Sequence, residues 1–383
     1  MQDPGRWYRR GESMTLTSID VESLREMLER EEPVTVLDVR PEDQRAEWQI
    51  PGSIHFDAYE ALKAKDPSAM EGVDLPGRLP VVTVCGAGKT SAIAAEQLRD
   101  RGLQAVSLEG GMKAWGLAWN TAEVRVEGSR ARVVQVRRTG KGCLSYIVES
   151  EGKAVVIDAA LQPEVYLEIV DDRGWKVTGV LETHIHADHL SRSRRLAEQA
   201  GEVTLYLPEQ DRVSFAFTPV RDKDVVEVGA AKLKALRTPG HTPESTSYLL
   251  DDQALFTGDT LFVDGVGRPD LEASPEEKRS RAQALYHSLR HLLDLSPETL
   301  ILPGHTSEPV PFDEISISGT IAQVREGVEA LGASEDDFVE RILEQLPPAP
   351  SNHHRIVKLN EAGSLPEEEL TELEAGANRC AAS

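Results

Sequence analysis

Short apolar runs alternate with longer amphipathic stretches over the first third of the chain. Three runs predict buried strands: Val34–Val39, Leu79–Val84 and Ala105–Leu108. The stretches Ser18–Glu29 and Ser91–Arg101 carry apolar residues at helical spacing, and Ser18 or Asp20 can cap the first of them. Strands that alternate with helices indicate a parallel sheet with helices on both faces. We therefore expect an α/β domain at the start of the chain.

The remainder of the chain has many short strands and then a helical end. The predicted strands are Val133–Arg137, Cys143–Glu149, Ala154–Ile157, Val177–Leu181, Val203–Leu207, Lys232–Leu236, Tyr248–Leu250 and Ala254–Thr257. The predicted helices are Glu164–Asp171, Ser191–Gln199, Glu276–Leu292, Ser318–Ala330 and Asp336–Gln345, with a polar tail at Glu367–Leu373. Because the two patterns differ, the chain is a fusion of unlike units. We place a mobile tail at residues 1–14, the first domain at residues 15–125 and the second at residues 126–383.

The composition of the chain limits the classes of partner that it can bind and the cellular compartment in which it is expected. The chain has 42 Lys and Arg against 65 Asp and Glu, a formal net charge of −23. Nucleic acid is therefore not an expected partner, because phosphate contacts need clustered basic residues. The sequence contains no apolar run of the roughly 18 residues that a membrane span needs, and its N-terminus is unlike a signal peptide. Three cysteines do not make a secreted disulfide framework. We expect a cytoplasmic protein, and a homo-oligomer is compatible with the sequence.

One candidate site is the glycine-rich stretch that follows the strand Leu79–Val84. Its Gly88-Lys89-Thr90 is similar to the end of a nucleotide-binding loop, but Thr83 stands where that motif has its first glycine. The other interpretation centres on Cys85, between a strand and a helix. Backbone N–H groups of such a loop favour an anion and lower the pKa of a thiol. Cys85 is thus either a candidate nucleophile or a buried structural cysteine.

The densest set of ligand-type side chains is the run His184-Ile185-His186-Ala187-Asp188-His189. Alternate residues of an extended backbone point the same way, so His184 and His186 can converge on one point. Imidazole and carboxylate ligands suit zinc, iron or manganese. Three later segments each place one further ligand after a strand and beside a glycine, and they contribute His241, Asp259 and His305. Together these residues predict a metal site.

The seven ligand-type residues, in the order in which they follow one another along the chain, resemble those of the metallo-β-lactamase superfamily. The resemblance covers Arg130 to Gly363. It implies an αββα sandwich with metals at one edge of its two sheets. Asp158, after the strand Ala154–Ile157, matches another family position, to which the resemblance assigns a structural role.

Within the superfamily, the chain is similar to persulfide dioxygenases. The similar segments are Gly258-Asp259-Thr260-Leu261-Phe262, Val266-Gly267-Arg268-Pro269-Asp270-Leu271 and Gln345-Leu346-Pro347-Pro348. The resemblance implies one Fe(II) per chain, held by His184, His241 and Asp259. It places His186, Asp188, His189 and His305 in a second pocket, which binds another metal in hydrolase relatives. It also implies that Arg268 contacts the thiol carrier of the substrate.

The first domain resembles a rhodanese, a sulfurtransferase with a parallel sheet flanked by helices. The segments that fit this family are Leu37-Asp38-Val39-Arg40, Ile50-Pro51-Gly52-Ser53-Ile54 and Glu109-Gly110-Gly111-Met112. The family's catalytic loop usually reads C-x-x-G-x-R-S, and here it is Cys85-Gly86-Ala87-Gly88-Lys89-Thr90-Ser91. The resemblance implies that Cys85 carries a persulfide, cradled by the backbone of Gly86 to Ser91. Thr90 stands in place of the usual arginine, so the sequence does not indicate which sulfur donor the domain uses. Lys89 is a candidate source of the missing positive charge.

The two resemblances together imply a sulfide-detoxifying fusion. The iron domain would oxidise a small-molecule thiol persulfide with O₂ to sulfite, and the Cys85 domain would move sulfur between persulfide, sulfite and thiosulfate. The alternative is a dizinc thioester hydrolase of the hydroxyacylglutathione kind, because every ligand position is present. Ser307 stands where glutathione-using relatives often have tyrosine, so the carrier could be glutathione, coenzyme A, bacillithiol or another thiol. Cys143 and Cys380 are expected to be incidental.

Overall fold

The computed structural model describes residues 16–77, 79–350, 352–366, 370–376 and 378–382. The tail that we expected at residues 1–14 lies outside the described residues. Within the ranges just given, no helix is both long enough and apolar enough to cross a membrane.

Strands and helices alternate through the first domain, as the sequence pattern predicts. In chain order they are β1 (Ser18–Ile19), α1 (Val21–Glu29), β2 (Thr35–Asp38), α2 (Glu42–Glu47), β3 (Ile54–His55), α3 (Tyr59–Lys63), β4 (Val81–Val84), α4 (Lys89–Asp100), β5 (Ala105–Leu108) and α5 (Gly111–Trp115). The strands are parallel, in the spatial order β1-β5-β4-β2-β3. Asp20 caps α1, since its carboxylate accepts a hydrogen bond from the backbone N–H of Ser23 at 2.7 Å.

Alternate residues of the central strands pack against helices on opposite faces of this sheet. Leu37 and Val81 belong to a core with residues of α3 and α4, whereas Val36 and Val82 belong to a core with residues of α1 and α5. A strand buried on both faces has no polar side, which explains the continuous apolar runs in the sequence. The expected α/β fold of the first domain is confirmed.

Two sheets pack face to face in the second domain. In chain order its elements are β6 (Asn120–Val124), β7 (Arg132–Arg137), β8 (Leu144–Ser150), β9 (Lys153–Ile157), α6 (Pro163–Asp172), β10 (Lys176–Leu181), α7 (Ser193–Gln199), β11 (Thr204–Pro208), β12 (Thr218–Val220), β13 (Val225–Val228), β14 (Ala231–Arg237), β15 (Thr246–Leu250), β16 (Ala254–Gly258), β17 (Val266–Gly267), α8 (Pro275–Leu293), β18 (Leu300–Pro303), β19 (Gly319–Thr320), α9 (Ile321–Gly327), α10 (Glu335–Glu344), α11 (His353–Ala362), α12 (Leu370–Leu373) and β20 (Ala381–Ala382). One sheet has the order β12-β11-β10-β9-β8-β7-β6 and the other β13-β14-β15-β16-β18-β19.

Apolar side chains fill the space between these sheets and the space under the outer helices. Tyr146 and Val155 of the first sheet share a core with Tyr248 and Phe256 of the second. Helices α6 and α7 cover the outer face of the first sheet, and α8, α9 and α10 cover that of the second. The second domain is therefore the expected αββα sandwich.

Strand β6 corrects the expected boundary between the domains. It pairs antiparallel with β7, from Asn120 opposite Arg137 to Val124 opposite Val133. We placed these residues in the first domain, but they complete the first sheet of the second domain. No strand is predicted from the sequence at residues 120–124, because the pairing that forms it depends on backbone groups elsewhere in the chain.

The two domains contact each other closely around a turn at residues 138–142. The indole N–H of Trp48 donates to the carbonyl of Thr139 at 3.1 Å. Gly140 approaches α5 so closely that a Cβ atom would lie 1.8 Å from the carbonyl oxygen of Trp115. Only glycine fits at this point, so the sequence of the turn is adapted to the domain contact.

The C-terminal segment, residues 370–376 and 378–382, is docked rather than a polar tail. Helix α12 buries Leu370 and Leu373, and Glu374 is 2% exposed between Arg138 and Arg192. Strand β20 pairs with β17. Arg138 and Arg192 lie 236 and 182 residues from Glu374 along the chain, so this ion cluster has no local sequence signal.

We predict that Glu374→Ala destabilises the second domain by about 3–5 kcal/mol, because it leaves two buried guanidinium groups without their shared carboxylate. Denaturant unfolding measures this loss. Glu372→Ala is the matched control, since Glu372 lies in the same segment and pairs with Lys113 at 2.6 Å but is exposed. The free energy of unfolding of Glu372→Ala should stay within about 1 kcal/mol of the wild-type value. Equal losses for the two variants would contradict the assignment.

Candidate functional site

The predicted ligand residues meet at one edge of the sandwich. His184, His186, Asp188 and His189 lie in the loop after β10, and the later ligands follow β14, β16 and β18. Strand β10 belongs to one sheet and the other three strands to the second, so the site spans both. All seven side chains are buried. The structure thus brings together every metal residue that the sequence analysis named.

His184, His241 and Asp259 form a compact group of donors. Asp259 Oδ2 lies 3.8 Å from His184 Nε2 and 3.6 Å from His241 Nε2. The other ring nitrogens are hydrogen-bonded: His241 Nδ1 to the carbonyl of Arg268 at 2.8 Å, and His184 Nδ1 to the hydroxyl of Thr183 at 2.9 Å. Such contacts fix the tautomer and leave each Nε2 lone pair free for a metal.

The protonation states of this group suit a cation. Burial lowers the pKa of His184 and of His241, so both rings are neutral near pH 7. Burial alone would raise the pKa of Asp259, but the charge and the hydrogen bond of His305 outweigh it and hold that pKa well below its usual range. His184 Nε2 and Asp259 Oδ2 are buried without a hydrogen-bond partner among the described residues. Converging orphaned donors of this kind fit a bound metal ion.

The second pocket is held together by its own hydrogen bonds. His305 contacts Asp259 Oδ1 through Nδ1 at 2.5 Å and Asp188 Oδ2 through Nε2 at 3.0 Å. His189 Nδ1 lies 3.0 Å from Asp188 Oδ1. Cys143 belongs to the same four-residue group, whose ligand atoms all lie within 4.8 Å of one another.

His186, which we expected in the second pocket, instead groups with two carboxylates, those of Asp158 and Glu182. Its Nε2 lies 2.9 Å from Glu182 Oε2 and 3.4 Å from Asp158 Oδ1. Asp158 also accepts hydrogen bonds from the backbone N–H and the hydroxyl of Thr183, both at 2.7 Å. Asp158 therefore anchors the start of the loop, which fits the structural role implied by the resemblance.

Cys85 lies at the end of β4, in the loop that opens α4. The hydroxyl of Ser91 donates to Cys85 Sγ at 3.2 Å and also contacts Ser107 at 2.9 Å. Burial raises the pKa of the Cys85 thiol, but the hydrogen bond from the Ser91 hydroxyl and those from backbone N–H groups outweigh it. The pKa is therefore below its ordinary value, as a nucleophilic thiolate requires.

Helix α5 closes the other side of this loop. Gly111 has φ 56°, and a Cβ atom there would lie 2.1 Å from the carbonyl oxygen of Cys85. Lys89 is exposed on the first turn of α4. The cradle around Cys85 Sγ is thus made of hydroxyl and backbone donors.

Comparisons with known proteins match both parts of the chain. The model of the metallo-beta-lactamase superfamily matches residues 138–305, and that of the rhodanese-like domain matches residues 20–118. A hydroxyacylglutathione hydrolase of Methylococcus capsulatus is 33% identical over 48% of this chain and 69% of its own length. The identity with this relative and the share of its length that is matched together establish the family. The chain belongs to the metallo-beta-lactamase superfamily.

Solved structures agree with this assignment. ETHE1 from Myxococcus xanthus matches with 33% identity and a TM-score of 0.53, over 60% of this chain and 98% of that chain. A metallo-beta-lactamase of Staphylococcus aureus matches with 28% identity and a TM-score of 0.56, over 61% and 73%. Other relatives are matched over less of their length: 65% of a probable metallo-hydrolase of Burkholderia pseudomallei and 58% of a hydroxyacylglutathione hydrolase of Xanthomonas campestris. This superfamily member thus carries a rhodanese-like domain before its metal-binding sandwich.

Arg268 does not present its guanidinium to the metal centre, contrary to the expected substrate contact. The residue is 1% exposed. Its guanidinium pairs with Asp270 at 2.7 and 3.0 Å and donates to the carbonyls of Pro347 and Arg379 at 2.8 and 3.0 Å. Its side chain therefore holds the C-terminal segment in place, and its own carbonyl orients His241.

Cys143 and Cys380, which we expected to be incidental, both lie at the metal centre. Cys143 Sγ is 3.4 Å from Asp188 Oδ2, and Cys380 groups with Asp259 and His305. Cys143 forms a β-bridge with His305, which brings it to the site. Cys380 arrives with the docked C-terminal segment, so its position depends on contacts that no local pattern encodes.

We predict that Ser91→Ala slows alkylation of Cys85 near pH 7 by about tenfold, because it removes a hydrogen bond that stabilises the thiolate. The pH midpoint of alkylation should also rise, since the Cys85 pKa then moves back toward its ordinary value. Mass spectrometry of the Cys85 peptide after timed iodoacetamide treatment measures both effects. Ser68→Ala, an exposed serine of the same domain, is the control. An unchanged profile for Ser91→Ala would refute the assignment.

Proposed function

We propose that the chain is a mononuclear iron persulfide dioxygenase fused to a rhodanese sulfurtransferase. The overall reaction of the second domain is R–S–SH + O₂ + H₂O → R–SH + SO₃²⁻ + 2 H⁺. Molecular oxygen and water supply the three sulfite oxygens, the sulfane sulfur is oxidised and O₂ is reduced. The first domain then moves sulfane sulfur between persulfide, sulfite and thiosulfate through Cys85.

The observation that carries this proposal is the grouping of His184, His241 and Asp259. Two neutral imidazoles and one carboxylate converge within 4.8 Å, and a 2-His-1-carboxylate set is typical of non-haem Fe(II) oxygenases. Bound there, iron would supply open positions for O₂ and for the persulfide. In the second pocket, both ring nitrogens of His305 are hydrogen-bonded, one to Asp259 and the other to Asp188, while His189 Nε2 has no hydrogen-bond partner among the described residues.

Residues around the three ligands have positioning roles in this proposal. The Arg268 carbonyl and the Thr183 hydroxyl each accept a ring N–H, which aims His241 and His184 at the metal position. His305 contacts the Asp259 carboxylate oxygen Oδ1 that faces away from those two ligands. It is therefore a candidate proton carrier beside the reacting atoms.

The Cys85 loop supports the second half of the proposal. A thiol with a lowered pKa in a cradle of donors can attack a sulfane sulfur and hold the resulting persulfide anion. Sulfite made by the iron domain is a chemically competent acceptor for that sulfur, and the product is thiosulfate. One chain would therefore link oxidation of sulfane sulfur to its transfer.

A thioester hydrolase is the competing assignment, because several relatives are named hydroxyacylglutathione hydrolase. That chemistry uses two metals and a bridging hydroxide that attacks the thioester. It would require the second pocket to release its internal hydrogen bonds. The segment from Gly258 to Leu271, which is similar to persulfide dioxygenases, and the rhodanese-like domain favour the dioxygenase.

The deciding experiment combines metal analysis with O₂ uptake on chain expressed without added metal. We expect about one iron per chain, with O₂ consumption and sulfite formation from glutathione persulfide and from coenzyme A persulfide as parallel substrates. The faster substrate identifies the carrier. About two zincs per chain, no O₂ uptake and cleavage of a hydroxyacyl thioester would instead establish the hydrolase.

Variants of the two domains should separate the two activities. We predict that Cys85→Ser keeps O₂ uptake within about twofold and abolishes sulfur transfer to sulfite, because the nucleophile is gone while the metal ligands are intact. His241→Ala should do the reverse and lose iron, because only His184 and Asp259 remain. Metal content, oxygen-electrode rates and thiosulfate formation measure these effects. Loss of both activities in both variants would refute two independent centres.

A further inference from the structure

The Asp188 carboxylate of the second pocket is surrounded by protein donors. Its Oδ2 lies 3.0 Å from His305 Nε2, 3.3 Å from Asn378 Nδ2 and 3.4 Å from Cys143 Sγ, and its Oδ1 lies 3.0 Å from His189 Nδ1. Three of these four contacts fall on Oδ2, so a second metal that binds Asp188 through Oδ2 would have to displace one of its present partners. Asn378 is the member of this set that comes from the C-terminal segment.

The orientation of the Asn378 amide is fixed by a second hydrogen bond. Its Oδ1 accepts the backbone N–H of Cys380 at 2.7 Å, so its NH₂ group faces Asp188. An amide binds metals through its oxygen, whereas its N–H atoms carry positive partial charge. The group at this wall of the pocket therefore opposes a cation.

The backbone around Asn378 is held on its C-terminal side, which keeps the amide from swinging away. The backbone N–H of Arg268 donates to the carbonyl of Cys380 at 3.0 Å, and the Arg268 guanidinium donates to the carbonyl of Arg379 at 3.0 Å. Strand β20 then pairs with β17, with Ala382 opposite Val266. The amide is thus part of a built wall.

We propose that Asn378 determines metal number: its amide occupies Asp188 and excludes a second metal from the pocket of Asp188, His189 and His305. This inference rests on the proposed mononuclear function and adds the residue that enforces it. It explains how a chain that has every ligand position of a dinuclear centre holds a single metal. Asn378 is a positioning residue, since it contacts a pocket side chain and none of the three iron ligands.

The first test variant replaces the Asn378 amide with a carboxylate, which can bind a metal ion. In Asn378→Asp, a carboxylate oxygen replaces the NH₂ group, so the second pocket gains an anionic donor. In Asn378→Ala, the obstacle is removed and no ligand is added. Asn120→Asp is the matched control, because Asn120 is a buried asparagine with both amide atoms hydrogen-bonded, to Pro311 and to Arg137. Thermal unfolding checks that each full-length variant folds.

Metal-free full-length chain is titrated with Zn²⁺ alone by calorimetry, and metal per chain is counted after desalting. A parallel Co²⁺ titration follows the visible absorption of each added equivalent. We expect one equivalent for the wild type and for Asn120→Asp, and two for Asn378→Asp. Asn378→Ala should bind the second equivalent about 10- to 100-fold more tightly than the wild type.

Each result decides the proposal. One equivalent in all four proteins would overturn the role of Asn378 and leave the proposed dioxygenase untouched. Two tight equivalents in the wild type would also overturn it, while O₂ uptake and sulfite formation would still judge the activity separately. If Asn378→Asp does not fold, Asn378→Ala alone decides, because a second-equivalent affinity equal to that of the wild type refutes the proposal.

Discussion

Pairing of buried charges at one edge of the sandwich is the constraint on which the rest of the structure depends. Asp259, His305 and Asp188 form a continuous chain of contacts that ties loops of both sheets together. Burying a carboxylate without a partner costs desolvation free energy. Each of these loops is therefore stable only when the loops that carry its partners are folded as well. Glu374 repeats the arrangement with Arg138 and Arg192 and brings the C-terminal segment to the same edge.

The same segment links the metal centre to the sulfur-transfer domain. Glu372 pairs with Lys113 of α5, and the backbone N–H of Lys113 donates to the carbonyl of Gly86 in the Cys85 loop at 3.1 Å. Farther along, Asn378 contacts Asp188. One short piece of chain therefore touches the supports of both centres, so the fusion is a structural unit as well as a sequence of two domains.

Much of this organisation could be predicted from residues that act locally. The loop from His184 to His189 was identifiable because ligand-type side chains are dense there, and Cys85 because it stands between a strand and a helix. The errors concern distant partners. Residues 120–124 were assigned to the first domain because their pairing with β7 has no local sequence signal. Arg268 was interpreted as a substrate contact because the carbonyls that bind it lie far along the chain.

The sequence by itself determined the α/β class of the first domain through periodicity, because periodicity is a property of neighbouring residues. Its motifs determined the order of the ligand residues, and their resemblance to known families implied the αββα sandwich and the nucleophile loop. Only the tertiary structure decided which donors are free and which are occupied. Among the described residues, His184 Nε2, Asp259 Oδ2, His186 Nδ1 and His189 Nε2 lack hydrogen-bond partners, whereas Asp188 Oδ2 is contacted by Asn378 and Cys143. The physical reason is that hydrogen-bond satisfaction depends on which distant segments pack together, and the sequence pattern carries no record of that packing.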